Sequence, residues 1–371
     1  MATVQASSRR ALVCFAALTV AAVSIAGGPV AHWPTLASMN TSRAYHTLTA
    51  LPGGKVLAVG GHPVVDRDKT AEVLDVAGNA WTYTAPALYQ HSQHAAVALA
   101  DGRVLVAGGQ VSPRSVEIYD AAANRWLPAG SLGAGRYDFT LTRLKDDRVL
   151  AVGGWDTTTG AVGQVEVFDA STNSWSATAP LVTPRELHCA SLLPDGRVIV
   201  AGGFTSNAIL KAVEIYDPAA AAWRVAADMR EARARFGMVT LTAGVAPRVL
   251  AAGGCCTSGV HARATSEVYD PLANTWIAAG DMSRGRTEFP IVALKDGSVL
   301  VAGGEDNESF TSTVDRFNPK TQRWDPVAST IPVRAAEMPM LLLGDGRVLV
   351  SGGTQNDDFY ITTPVTAVFQ P

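Results

Sequence analysis

The chain has 371 residues, 47% of them apolar and 17% charged, with a formal charge of −3. Its basic residues are scattered, which excludes the positive stripe needed to follow a nucleic-acid backbone and the polybasic patch of a membrane-surface binder. The apolar content is ample for a large core.

The first element is a processing segment. Arg9 and Arg10 precede an uncharged apolar run from Ala11 to Ala26, and Ser24 and Ala26 put small residues at −3 and −1. Cleavage is expected after Ala26, so residues 1–26 read as an export signal. The run is short for a membrane span. The mature protein, residues 27–371, is expected to be secreted, periplasmic or at a cell surface, with no transmembrane span and a charge of −5 once Arg9 and Arg10 are lost. Of the four cysteines Cys14 leaves with the signal, and Cys189, Cys255 and Cys256 are no disulfide framework. Cys255 and Cys256 are adjacent and read either as a vicinal disulfide or as two free loop thiols.

From there the chain repeats. A Gly-Gly pair begins at Gly60, Gly108, Gly153, Gly202, Gly253, Gly303 and Gly352, with a mean period of about 49 residues. Each pair ends a short apolar strand, such as Val56 to Val59, Val104 to Ala107 and Val198 to Ala201. Asp-Gly turns, as at Asp101-Gly102, Asp195-Gly196, Asp296-Gly297 and Asp345-Gly346, precede most of these strands and signal hairpins. Next comes Glu-x-aromatic-Asp (Glu117 to Asp120, Glu166 to Asp169, Glu214 to Asp217, Glu267 to Asp270), with variants at Glu72 to Asp75 and Asp315 to Asn318. A tryptophan follows: Trp81, Trp126, Trp175, Trp223, Trp276 or Trp324. Each unit thus predicts four short strands, and helical periodicity is absent beyond the signal.

The diglycine, the Glu-x-aromatic-Asp and the tryptophan together resemble the kelch repeat over nearly the whole mature chain. The resemblance implies an all-β, seven-bladed β-propeller of four-stranded antiparallel blades in one domain, residues 27–371. Closure is readable as well. Trp33 stands 27 residues before Gly60, the interval that separates Trp81 from Gly108, and the last unit stops at Pro371 without a tryptophan. Roughly Ala31 to Ser38 is therefore expected to supply the outer strand of the seventh blade. Trp155 is left outside the pattern.

One face should carry the links between blades together with the longer loops after each diglycine. Those loops hold Trp155, Phe204, Phe310, Phe359 and Tyr360, with acids such as Asp66, Asp68, Asp156, Glu305, Asp306, Asp357 and Asp358. Variable loops on a rigid scaffold suit recognition. Seventeen residues before the diglycine stands Arg43, Arg136, Arg185 or Arg286, with His91 at that place in the second unit. Arg334 is one residue further away, and Arg233 or Arg235 serves the fifth unit. These side chains are expected to ring the mouth of the central channel, as a set of anion-binding guanidiniums or in local pairs with Asp138, Glu186, Glu288 and Glu337. Tyr45, His46 and Trp155 complete the candidate ligand-binding set. His46, His94 and His188 alternate with Phe139, Phe236 and Phe289 at one position of the repeat, which reads as packing; no metal site and no cofactor are expected, and Cys256 with His261 is a weaker pair still.

Kelch domains that bind acidic peptides or sugars are similar in placing arginine at such loops. The expected function is an exported binding or interaction module, a monomer that recognises a glycan, peptide or protein on its loop face. The alternative is a sugar-acting enzyme, either epimerase-like or a degenerate relative of galactose oxidase. The propeller of galactose oxidase is distantly similar in its Tyr45-His46 and Leu192-Leu193-Pro194-Asp195-Gly196-Arg197 phrasing and in the place of Cys189, but Phe236 stands where that family's radical tyrosine would be.

Overall fold

The computed structural model describes residues 32–62, 69–241, 247–255, 262–356 and 361–370. The expected export segment lies outside them, as do Asp66, Asp68, Cys256, His261, Asp357, Asp358, Phe359 and Tyr360.

Each repeat folds into one antiparallel sheet with its strands in chain order from axis to rim. The first blade is Thr47–Leu51, Lys55–Val59, Ala71–Asp75 and Ala80–Tyr83. Blades two to six run from Ala95–Ala98 to Arg125–Pro128, Thr140–Arg143 to Ser174–Thr178, Cys189–Leu192 to Ala222–Ala226, Gly237–Leu241 to Thr275–Ala278, and Ile291–Ala293 to Arg323–Val327. The seventh holds Met340–Leu342, Val348–Ser351 and Thr366–Phe369. Innermost strands contact each other in succession, and the seventh returns to the first. The architecture is a closed seven-bladed β-propeller.

The second strands are continuously apolar because both their faces are buried. In blade four, Val198 and Val200 pack toward blade three, while Ile199 and Ala201 pack with blade five. Seven apolar clusters result, each shared by two adjacent blades. Aromatic and tryptophan rings of the third and outer strands stack at 4.9 to 5.1 Å between centroids, as in Tyr119–Trp126 and Phe317–Trp324. The diglycine is required by close approach and by left-handed backbone: Gly202 has φ +61, and a Cβ there would lie 2.4 Å from the Arg233 carbonyl oxygen.

The seventh blade is completed from the start of the described chain. His32 bridges Gln370, Thr35 bridges Ala367, and the Leu36 N–H donates to the Thr366 carbonyl at 2.9 Å. Trp33 lies 5.0 Å from Phe369, in the place a tryptophan holds in the other blades. Among the described residues no helix is long and apolar enough to cross a membrane.

Candidate functional site

Arg43, Arg136, Arg185, Arg233 and Arg286 are buried inside the blades rather than set around the channel. Arg136 donates through Nη1 to the Gly153 carbonyl at 2.8 Å and through Nη2 to Glu166 Oε1 at 2.6 Å. Arg185 holds the Gly202 carbonyl and Glu214; Arg43, Gly60 and Glu72; Arg286, Gly303 and Asp315. In the fifth blade the equivalent is Arg233, bonded to the Gly253 carbonyl and Glu267. In the second, His91 spans the Gly108 carbonyl at 2.9 Å and Glu117 at 2.7 Å. The acid in every case is the first residue of the Glu-x-aromatic-Asp segment or its variant. Asp138, Glu186, Glu288 and Glu337, expected as local partners from their spacing, are not the partners of these arginines. The charge-assisted clasp joins the diglycine to the third strand and leaves the guanidinium no face for a ligand. The same carboxylate accepts backbone N–H groups of the link before the arginine, as Glu214 does from Val182 at 2.7 Å and Thr183 at 3.1 Å.

Blade seven clarifies the logic by lacking all of it. Ala335 takes the arginine's place, Ala367 the acid's, and Pro332, which has no N–H, the donor's. Arg334 therefore falls outside the set: it corresponds to Pro184, one residue early, and is exposed.

Two residues after each clasp the backbone turns left-handed. Tyr45, Gln93, Asp138, Leu187, Arg235, Glu288 and Glu337 have φ between 51 and 56. Successive members are hydrogen-bonded around the axis: Asp138 N–H to the Gln93 carbonyl at 3.0 Å, Glu337 to Glu288 at 2.9 Å, Tyr45 to Glu337 at 3.0 Å. Non-glycine residues in this region cost energy and are held only where the surroundings over-determine them. Six of these residues line a cavity of about 500 Å³ at the channel mouth, Tyr45, Asp138, Leu187, Arg235, Glu288 and Glu337, with Phe139, Phe289, Met338 and Met340 as its apolar wall.

The polar groups form a chain. The Tyr45 hydroxyl donates to Glu337, which also accepts from Thr354 Oγ1 at 2.5 Å; Arg235 pairs with Glu288 at 2.6 Å; Gln93 Nε2 donates to Asp138 at 3.3 Å. Burial pushes the Asp138 carboxyl up to about 7, helped by Glu186 and Glu288 and opposed by Arg235. Burial likewise raises Glu186 to about 7 against the pull of Arg235, and raises the Tyr45 phenol. Four carboxyls thus stand near one guanidinium, the reverse of the anion-binding ring expected from the spacing. Asp138, Glu288 and Glu337 were legible only as neighbours of the clasp, and Arg235 as the alternative to Arg233. One signal marked them: each stands one residue before the His, Phe or Met that recurs at the packing position of the repeat.

His46 lines the same cavity but is buried, its Nε2 bonded to Ser351 Oγ of the neighbouring blade at 3.1 Å. His188 meets Thr140 Oγ1 in the same way. Burial, then the adjoining Arg43 or Arg185 and Arg136, lowers both imidazoles to about 3, so they are neutral wedges. Among the described residues no three His, Cys, Asp or Glu side chains converge as a metal ion requires. Cys189 donates its thiol proton to the Phe236 carbonyl at 3.0 Å, and burial pushes the thiol up to about 12. Of the loop aromatics, Trp155 is half-buried in a short hairpin, Trp155–Asp156 with Gly160–Ala161; Phe204 bridges Glu186, and Phe310 is buried. Cys255 bridges Ala234.

This fold and repeat define a class, the closed seven-bladed propeller. Comparison with known proteins specifies it. The Kelch motif family matches residues 187–230 and 292–330. The chain is 36% identical over 234 residues to Kelch-like protein 24 of Rattus norvegicus and of Mus musculus, covering 63% of this chain and 36% of theirs. It is 33% identical over 107 residues to Kelch-like protein 36 of Mus musculus, covering 25% of this chain and 17% of that one. The chain spans well under half the length of the curated relatives it matches. Among solved structures it is similar to a fungal alcohol oxidase of the AA5 family in complex with copper, at a TM-score of 0.77 and 17% identity, over 92% of this chain and 77% of that one. At that identity the likeness is one of fold. The chain thus carries kelch motifs on a seven-bladed β-propeller.

Proposed function

We propose that this protein is an exported binding module, secreted or held in a periplasm or at a cell surface, that docks a protein, peptide or glycan on the face carrying the interblade links. Kelch propellers are generally protein-interaction modules. The observation that carries the reading is the mouth cavity: six left-handed residues, held by backbone bonds that run from one to the next around the axis, present chemically different side chains on a rigid scaffold. The test is thermal shift of the protein against sugars, acidic and basic peptides, Cu²⁺ and Ca²⁺. A ligand should raise the melting temperature, and the shift should change in Arg235→Ala or Trp155→Ala while staying as it is in Lys145→Ala on the opposite face. A shift left unchanged by both loop-face substitutions would refute this placement.

A sugar-acting enzyme is the second reading, favoured by Asp138 and Glu186, whose carboxyls titrate near neutrality as a general acid or base requires. It expects turnover of a sugar substrate that falls at least about a hundredfold in Asp138→Asn. The copper-radical version is disfavoured by Phe236, which has no phenol to oxidise.

A further inference from the structure

We infer that the channel mouth takes the basic side chain of a partner polypeptide, arginine before lysine. The inference rests on the loop-face reading above and specifies its ligand chemistry. Three observations converge on it. First, the blade arginines are neutralised within their clasps, so the charge left at the axis is that of Asp138, Glu186, Glu288 and Glu337 against Arg235. Secondly, Glu186 is only 9% exposed, yet its carboxyl has no hydrogen bond or ion pair among the described residues. Its charge acts on Asp138 and Tyr137 and is opposed by Arg235, so it neighbours residues of the mouth without itself lining the cavity. Its oxygens are not among the sealed, unpartnered polar atoms of the blades, and a guanidinium arriving from outside supplies several donors to them. Thirdly, the described acids do not converge as a metal ion demands, whereas a planar fork can reach carboxylates spread around a ring. The apolar wall of Phe139, Phe289, Met338 and Met340 suits the methylene stem of such a side chain.

Protonation sets the sign of the pH effect. Asp138 faces Gln93, Glu186, Arg235 and Glu288; Glu186 faces Tyr137, Asp138 and Arg235. Both carboxyls are protonated in mild acid and ionise as pH rises through about 7. A cation should therefore bind more tightly at about pH 8 than at about pH 6.

The probe is acetyl-Gly-Arg-Gly-amide, titrated into the millimolar range against its citrulline and glutamate counterparts, with binding followed by NMR. The arginine peptide should bind, more tightly in mild base, and should weaken about tenfold in Glu186→Gln and in Asp138→Asn. Arg235→Ala, which removes the competing cation, should strengthen it. Equal binding of the citrulline peptide, preference for the glutamate peptide, no binding at all, or unchanged binding in both carboxyl variants would overturn the inference. If another ligand still binds the loop face while the arginine peptide does not, the inference fails and the docking reading stands. If nothing responds to loop-face substitution, both fail.

Discussion

At the scale of residues, the clasp explains why arginine and acid occur together. Replacing Arg136 alone strands the buried Glu166 and should cost about 3–5 kcal/mol. Removing Arg136 and Glu166 together to alanine should cost less than the sum of the single losses, because blade seven already works with Ala335 and Ala367. Chemical denaturation of the two single variants and the double variant measures the coupling, and strict additivity would contradict the clasp. The histidine wedges make a separate prediction. An imidazole titrates near 6.5 when unfolded and near 3 in the folded blade, so its contribution is intact above about pH 6.5 and lost as pH falls toward 3. His188→Phe, which puts at this position the residue that blades three, five and six already use, should be near neutral at pH 7. At about pH 5 it should stabilise by about 2 kcal/mol relative to the parent. Melting curves at the two pH values decide this.

At the scale of elements, the apolar second strands and their glycines were fully legible, since a strand buried on both faces must be written in unbroken apolar residues. Trp33 was legible too, because its interval to Gly60 repeats inside the array. Trp33→Ala should remove a buried indole from its stack on Phe369 and cost about 3–5 kcal/mol. An unchanged melting temperature would mean that the first described segment does not serve as an outer strand. The axial ring was not legible. Left-handed backbone is usually announced by Gly or Asn, and here it is imposed on Tyr45, Leu187 and Glu337 by the ring of bonds instead. Arg334 was misplaced for another reason: it was matched by residue type, although the seventeen-residue interval before Gly352 falls on Ala335.

At the scale of the molecule, seven apolar clusters each shared by two blades mean that no sheet has a core of its own, so the wheel should unfold in one cooperative step. Its strength is nevertheless uneven. Blade seven has neither the arginine–acid clasp nor a covalently continuous outer strand. Its two ends are joined by bonds such as Val368 N–H to the Pro34 carbonyl at 3.0 Å and Gln370 N–H to the His32 carbonyl at 3.1 Å. In blade four, by contrast, five registered pairs run from Val213 with Ala226 to Asp217 with Ala222. Amide hydrogen exchange should find Val368 and Gln370 opening before Tyr216 and Trp223. The circle therefore has a clasp-free seam where its beginning and end are laced together. Strain, heat or a protease would part it there first, and a partner whose grip crossed that seam would lock the ring against opening without touching the axis at all.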